Sequence, residues 1–356
     1  SLQDRLAEYR GLAAAGGWPA VPDGPALKPG AGDPRLTVLR ERLLVSGDLP
    51  RTTPAPEAYD ENLVAGVRRF QARHGLDTDG VLGARTLAAM NVPVNARIDQ
   101  LRLSLERARW VLEDTAGKVL VVNVAGYEVF AARNGTPFWR RRAVVGTQAR
   151  ETPIFKASMT YLDLNPTWTV PPTILREDIL PKVRRDPGYL RSQNISVLDR
   201  KGRPVNAAAI NWHAVGNRPP YILRQDPGPR NALGRIKFMF PNSHSVFLHD
   251  TPSRGLFEQA ERNFSSGCIR LDDPLSLAEI LLADPDRWNR GTLEAAIATG
   301  KTQTVRLPKP WPILILYWTA ELDGEGRVRF LPDVYRRDPP LLKALNGDVV
   351  IDFPSL

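Results

Sequence analysis

The 356-residue chain is 42% hydrophobic and 24% charged, and its 48 Lys and Arg outnumber 39 Asp and Glu to give a net charge of +9. This length predicts two or three domains around a sizeable core, and we expect no membrane-spanning segment because no apolar run approaches the ~20 residues required. The single cysteine excludes an internal disulfide bond and a thiolate-rich zinc site. The positive charge is scattered along the chain, which indicates a solvated basic surface or an anionic partner other than nucleic acid.

Residues 1–57 are predicted to form an irregular N-terminal scaffold segment rich in proline and glycine. The segment begins at Ser1 without a charged and apolar leader, so we interpret the chain as a mature or trimmed product that displays no targeting signal. A helix is expected from Leu2 to Arg10, but the Gly and Pro residues that follow interrupt regular structure. We expect no independent core from this segment.

Residues 58–92 have the pattern of two short helices around a turn. Apolar residues recur at helical spacing from Leu63 to Phe70, and the cluster at 77–83 favours a structural turn over a calcium loop because no glutamate completes the ligand pattern. The stretch resembles a small peptidoglycan-binding module at Val67, Phe70, Gln71, His74, Gly75, Leu76, Asp79, Gly80, Val81, Gly83 and Thr86. This resemblance implies docking to glycan or stem peptides, and a bare helical spacer is the alternative.

Residues 93–113 are predicted to form a linking helix, after which the hydrophobic period becomes that of β-strands. Strands are expected at 119–124, 127–132, 143–145, 158–164, 236–240, 246–248, 305–307, 313–320 and 328–330. Helices are expected at 275–282, at 292–298 and near Leu341. We therefore assign residues 114–356 to one mostly β domain, which makes the whole chain α+β.

A long segment at 172–240 interrupts this β-rich domain. It contains Pro171 and Pro172, a helix-like stretch at 174–183 and several further Pro and Gly clusters. Structureless loops of this length are uncommon in compact domains and are usually functional. We predict an inserted subdomain that caps a site, with a disordered loop as the alternative.

The residues with the clearest chemistry are Cys268 and His249, which are 19 positions apart in the chain. A cysteine becomes nucleophilic as its thiolate, and histidine is the usual base near neutral pH. His249 follows a short apolar strand, and Cys268 follows Gly267 in a turn whose backbone amides are candidates to stabilise an oxyanion. Chemistry alone leaves both a catalytic Cys–His pair and an inert buried cysteine open.

The stretch His249-Asp250-Thr251, together with Ser265-Ser266-Gly267-Cys268-Ile269-Arg270, resembles the signature of the L,D-transpeptidase catalytic domain of the YkuD type. The resemblance extends over about 115–305 and implies a β-sandwich with a capping subdomain. It implies that Cys268 is the nucleophile and that His249 is the general base and acid. It also implies an oxyanion contribution from Gly267 and an anchoring role for Arg270.

Other site residues are weaker candidates. Many family members have a second histidine where this chain has Ser266, so the role of that histidine does not transfer, and Ser266 is expected only to contact substrate. In the family the imidazole is oriented by the carbonyl that follows it, here that of Asp250, and the role of the Asp250 carboxylate is open. Trp168 and Phe247 are candidates to line the substrate pocket, with core packing as the alternative.

The resemblance implies an enzyme of peptidoglycan maturation in the periplasm or cell envelope, without a metal or organic cofactor. Its substrates are expected to be stem peptides of the wall, joined into 3-3 cross-links through a thioester, and carbapenems are expected to acylate the thiol. An L,D-carboxypeptidase, an enzyme that attaches wall lipoproteins and a non-enzymatic peptidoglycan-binding scaffold are the alternatives. The motifs of serine penicillin-binding enzymes and of zinc amidases are absent from the sequence.

Overall fold

The computed structural model describes residues 1–50, 58–111 and 113–347. Residues 51–57 of the predicted N-terminal segment, Leu112 of the predicted linking helix and residues 348–356 at the end of the predicted β-rich domain lie outside the described residues. Within the described ranges, no helix has the length and apolar character needed to cross a membrane. No cluster of three or more His, Cys, Asp or Glu side chains in these ranges is arranged to hold a metal ion.

The N-terminal region is helical, with α1 at Leu2–Ala14, α2 at Leu36–Val45, α3 at Glu61–Arg73, α4 at Ala84–Met90 and α5 at Val94–Arg109. The carboxylate of Asp60 accepts the Leu63 N–H and caps α3, as a helix N-terminus requires. Leu39 and Leu43 of α2 pack in the same core as Leu63 and residues of α3 and α4. The hydrophobic core therefore extends N-terminally of the predicted module boundary at residue 58.

Helix α2 was not predicted, and its sequence explains why. Arg40 and Arg42 are buried together with the leucines of the helix, which obscures an apolar stripe. The Arg42 guanidinium lies 4.1 Å from the centre of the Trp18 ring, and its Nε donates to the Met90 carbonyl. Arg42 is therefore buried because it has an aromatic and a carbonyl partner, at a position where a hydrophobic pattern would require an apolar residue.

The remaining elements form a β-rich domain with short helices. The strands are β1 at Lys118–Asn123, β2 at Glu128–Arg133, β3 at Thr136–Gly146, β4 at Phe155–Leu164, β5 at Trp168–Thr169, β6 at Ile195–Leu198, β7 at Pro204–Val205, β8 at Ile222–Gln225, β9 at Ile236–Met239, β10 at Leu248–His249, β11 at Asn263–Ser265, β12 at Ile269–Leu271, β13 at Gln303–Leu316, β14 at Ala320–Leu322 and β15 at Val328–Phe330. The helices are α6 at Pro172–Ile174, α7 at Leu180–Arg185, α8 at Tyr189–Ser192, α9 at Pro274–Leu282, α10 at Arg290–Ala298 and α11 at Asp338–Asn346.

The main sheet has the order β11-β3-β12-β10-β9-β4-β13-β1-β2, and β3 also pairs with β2. This second pairing closes the strands from β3 to β2 into a ring and leaves the short β11 as an edge strand. The core lies on one face of these strands, where Leu248, Ile269 and Phe238 pack with α9. The predicted α+β class, with a helical N-terminal region and a mostly β domain, is confirmed.

The insertion folds around a hydrophobic core of its own. A small sheet with the order β5-β8-β6-β7 packs with the helical stretch from α6 to α7, and Leu180, Val183 and Trp212 are buried between them. Its sheet begins with Trp168, four residues before the predicted start at 172. The segment is therefore an ordered subdomain rather than the disordered loop that was the alternative.

Candidate active site

His249 lies on β10 of the main sheet, and Cys268 lies in the turn directly before the neighbouring strand β12. Strands β10 and β12 are parallel, with Leu248 opposite Ile269 and His249 opposite Arg270. Leu248 and Ile269 are fully buried in the core, and side chains alternate along a strand. His249 and Cys268, each one residue away from these core positions, therefore share the opposite face of the sheet.

The imidazole of His249 is buried and oriented by the carbonyl that follows it. Its Nδ1 lies 2.5 Å from the Asp250 carbonyl oxygen, the partner that the resemblance implied. Because a carbonyl only accepts, Nδ1 carries the proton and Nε2 of the neutral ring is an acceptor. Burial, and then the Arg270 charge, lower the pKa of His249 to about 3, so the ring is neutral near pH 7.

Cys268 is half-buried, and its Sγ lies 3.9 Å from the Ser245 carbonyl oxygen, which accepts a weak hydrogen bond from the thiol. Burial raises the pKa of this thiol. A hydrogen bond donated to the sulfur by the Phe247 backbone, and the charges of Lys237 and Arg270, lower this pKa. The resting pair is therefore a neutral thiol beside a neutral imidazole, an arrangement suited to general-base activation rather than a preformed ion pair.

A hydrogen-bond network holds the turn before Cys268. Ser265 Oγ donates to the Cys268 carbonyl at 2.5 Å and accepts the Gly267 N–H at 3.1 Å. Thr152 Oγ1 donates to the Gly267 carbonyl at 2.9 Å. Gly267 has a φ of +109°, a left-handed conformation that glycine adopts without strain.

This network qualifies the predicted role of Gly267. Its N–H is occupied by Ser265 Oγ and does not point freely at a substrate oxygen in this state. Among the described residues, the N–H of Cys268 has no hydrogen-bond acceptor. The amide that remains available for an oxyanion is therefore that of Cys268, while Gly267 supplies the backbone conformation of the turn.

A cavity of about 650 Å³ lies between the insertion and the turn that carries Cys268. Three of the predicted substrate-binding residues line it, namely Trp168, Ser266 and Arg270. The Arg270 Nε is buried without a hydrogen-bond partner in the described part of the chain, so this guanidinium is available to a ligand. Such a group favours an anionic ligand such as a carboxylate.

Arg150 was missed by the sequence analysis and connects the insertion to this turn. Its guanidinium donates to Ser266 Oγ at 2.8 Å, to the Asp178 carboxylate at 2.7 Å and to Glu177 at 2.6 Å. Arg150 lies in the loop between β3 and β4, where no local pattern distinguishes it from the other arginines. Only the folded chain reveals that it lies between both parts of the cavity wall.

The remaining predicted site residues take more structural positions. The buried Asp250 carboxylate accepts hydrogen bonds from the Arg254 guanidinium at 2.5 Å and from the Arg235 N–H at 2.8 Å, so its side chain anchors the chain around His249. Phe247 packs partly against the core, with its ring 5.7 Å from the His249 ring. Phe247 thus supports the imidazole from the same strand.

Comparison with known proteins agrees with this architecture. Residues 117–305 match the family model described as "L,D-transpeptidase catalytic domain", and residues 33–90 match the one described as "Putative peptidoglycan binding domain". A Haemophilus influenzae protein described as "Putative L,D-transpeptidase" is 35% identical over 252 residues, which are 70% of this chain and 50% of that protein. The chain thus spans about half the length of this curated relative.

Solved structures of L,D-transpeptidases are also similar. The enzyme from Mycobacterium smegmatis is 14% identical with a TM-score of 0.26, covering 56% of this chain and 58% of that one. L,D-transpeptidase 3 from Mycobacterium tuberculosis, solved with a faropenem-derived adduct, is 11% identical with a TM-score of 0.27, covering 56% of this chain and 60% of that one.

The family match covers more than half of the chain and includes both Cys268 and His249. This match defines the class of its β-rich part as an L,D-transpeptidase catalytic domain, and residues 33–90 precede it as a match to the peptidoglycan-binding domain model. The chain belongs to the L,D-transpeptidase family, with a catalytic domain of the YkuD type.

Proposed function

We propose that this chain is a cell-envelope enzyme that forms 3-3 cross-links between peptidoglycan stem peptides. The Cys268 thiolate attacks the carbonyl of the L-configured diamino acid in a tetrapeptide stem. The bond from that carbonyl to the terminal D-residue breaks, leaving a thioester on Cys268. An amine of a second stem then attacks the thioester and releases the thiol.

The observation that carries this proposal is that Cys268 directly precedes β12, the parallel neighbour of the strand that carries His249, while His249 Nδ1 is bonded to the Asp250 carbonyl. Nε2 of this neutral tautomer accepts the thiol proton as sulfur attacks and donates it to the departing amine. In the second half-reaction Nε2 takes a proton from the acceptor amine and returns it to the sulfur. The Cys268 N–H, which has no acceptor among the described residues, is assigned to stabilise the oxyanion of each tetrahedral intermediate.

The cavity under the insertion supports a peptide substrate with a carboxylate. Arg270 offers a guanidinium whose Nε has no hydrogen-bond partner among the described residues, while Trp168 adds an aromatic surface to the cavity wall. We assign the stem carboxylates to Arg270 and the peptide backbone to the wall that includes Ser266. Carbapenems, whose strained ring carries a carboxylate beside an electrophilic carbonyl, are expected to acylate Cys268, which is not among the lining residues but follows Ser265 and Ser266 of the cavity wall.

The test is incubation of the purified chain with disaccharide tetrapeptide, followed by mass spectrometry of the products. We expect a cross-linked dimer that has lost one terminal D-residue. Tripeptide without dimer would instead establish the L,D-carboxypeptidase, in which water is the acceptor. Transfer only to a lysine-bearing lipoprotein peptide would establish lipoprotein attachment, and binding to wall polymer without any product would establish a scaffold.

The insertion is proposed to exclude water from the thioester, which favours the amine acceptor. Removing both carboxylates that hold Arg150, in a Glu177→Gln and Asp178→Asn variant, should loosen this cap. Each partly exposed ion pair contributes at most about 1 kcal/mol, so we expect the tripeptide-to-dimer ratio to rise about three- to tenfold. Mass spectrometry of the same reaction measures this ratio.

The matched control is Glu258→Gln, which removes one exposed carboxylate that pairs with Arg142 outside the cavity. The control should leave the product ratio at the wild-type value. An unchanged ratio in the double variant would show that the contact between Arg150 and the insertion does not govern water access.

A further inference from the structure

Four titratable side chains lie in a row across four neighbouring strands of the main sheet: Arg270, His249, Lys237 and Asp163. His249 is flanked by Arg270 on β12 and by Lys237 on β9, and Lys237 is itself opposite Asp163 on β4. All four alternate with buried core residues of their strands, so they share the face that also carries Cys268. The imidazole therefore lies between two cationic side chains.

Lys237 is held close to the cysteine by an aromatic ring. Its Nζ lies 4.2 Å from the centre of the Phe247 ring, a cation–π contact that restrains the ammonium. The Ile269 N–H donates to the Phe247 carbonyl at 3.1 Å, which brings Phe247 next to the turn that carries Cys268. In the described part of the chain Lys237 forms no ion pair within 4 Å, and Asp163 is instead bonded to the Thr304 hydroxyl at 2.6 Å.

Electrostatics around the thiol assign a purpose to this arrangement. A thiolate is stabilised by nearby positive charge, and the His249 imidazole is neutral until it has taken the thiol proton, so the permanent charges near the sulfur come from other side chains. Lys237 and Arg270 are the charged groups that favour the Cys268 thiolate, against the burial that raises the pKa of the thiol. In turn, Asp163 and Cys268 favour the charged form of Lys237, whose own pKa is lowered by burial.

We propose that Lys237 is a positioning residue for the acyl transfer: its ammonium, held over Phe247, stabilises the negative charge on Cys268 sulfur as the thiol loses its proton to His249. This inference rests on the proposed function, since it specifies how the same nucleophile is activated. The ammonium keeps its proton throughout, and no bond to Lys237 forms or breaks. Arg270 supplies the second positive charge and is also assigned to substrate, whereas Lys237 is assigned no substrate contact; its charge also helps to lower the pKa of the neighbouring His249.

The single cysteine of the chain makes the test direct, because intact-mass analysis of iodoacetamide alkylation reports on Cys268 alone. Alkylation rates are measured from pH 6 to pH 10 for the wild type, Lys237→Met, Lys237→Arg and the control Lys156→Met. Lys156 lies on β4, exposed and paired with Asp114, so its replacement removes the same charge away from the thiol.

We expect Lys237→Met to shift the alkylation profile to higher pH and to slow alkylation at pH 7 by roughly fivefold, the effect of losing one nearby charge at the dielectric of a partly buried site. Lys237→Arg should stay within about twofold of the wild type, and Lys156→Met should match it. A Lys237→Met profile identical to that of the wild type would overturn the proposal.

Two comparisons keep this result interpretable. If Lys237→Met unfolded, its thiol would be exposed and would be alkylated faster than in the wild type, at the rate measured in urea. This is the opposite of the expected change. In that case Lys237→Gln, which is smaller and polar, would replace Lys237→Met. Because alkylation needs no peptide substrate, a shifted profile in a chain that forms no cross-link would refute the proposed function and leave the role of Lys237 standing. A wild-type profile in a chain that does form cross-links would refute Lys237 alone.

Discussion

Cys268→Ala is expected to abolish both the cross-linked dimer and the tripeptide, with at least about a 10⁴-fold loss of kcat/KM, because no other group in the reaction can form the thioester. The same change should eliminate the carbapenem adduct in the intact mass of the protein. Cys268→Ser should be nearly as inactive, since a neutral hydroxyl beside an imidazole with a low pKa is a much weaker nucleophile than the thiol.

The fold should tolerate both changes, because Cys268 is half-buried and its side chain makes only weak hydrogen bonds among the described residues, with the Ser245 carbonyl and the Phe247 backbone. Thermal unfolding should therefore occur within a few degrees of the wild-type temperature. Ser253→Ala, an exposed position on the loop after His249, is the control and should retain full activity. Substantial cross-linking by folded Cys268→Ala would mean that the thioester mechanism is wrong.

His249→Gln is expected to lower kcat/KM by about 10³-fold, within the range for loss of a general base. The variant keeps most of the side-chain volume at this buried position but removes the Nε2 acceptor. Replacement of the exposed His213 by Gln, on the insertion, is the matched control and should have little effect. A loss below about tenfold would show that the thiol is activated without the imidazole.

The pH dependence gives a second, independent result for His249. Its folded-state pKa of about 3 lies below the usual value, so the base is lost only as the pH falls towards 3. The wild-type kcat/KM should accordingly be level between about pH 5.5 and pH 8, where the thiol and the imidazole are both neutral. In His249→Gln the residual activity depends on spontaneous thiolate formation and should rise with pH across this range. An acidic limb near pH 6.5 in the wild type would contradict the neutral imidazole.

The strand pattern of the β-rich domain was predictable because its residues alternate with a period of two. The core side of β10 and β12 follows from Leu248 and Ile269, and this alternation also puts His249 and Cys268 on one face. The second pairing of β3 with β2 was not predictable, since closure of a sheet depends on register between strands rather than on any local pattern.

The site was predictable in the segments that carry local motifs and not elsewhere. Cys268 and His249 lie within 20 residues of each other and match a signature, whereas Arg150 comes from a distant loop and contacts the site only through tertiary folding. Lys237 lies in a strand with alternating polar and apolar residues, where a lysine is normally expected to face solvent. Only the strand register shows that it lies opposite His249. The hydrogen bond from the Gly267 N–H to Ser265 Oγ likewise depends on the rotamer of Ser265, which no sequence pattern specifies.

Direct detection of the acyl-enzyme tests the central claim most sharply. Trypsin cleaves after Arg262 and Arg270, so Cys268 lies in one peptide, Asn263–Arg270. After brief incubation with disaccharide tetrapeptide and an acid quench, this peptide should carry the mass of the stem lacking its terminal D-residue, and the label should leave on addition of an acceptor amine as dimer appears. Turnover of the stem with an unmodified Asn263–Arg270 peptide at every time point would contradict the assignment of Cys268 as the nucleophile.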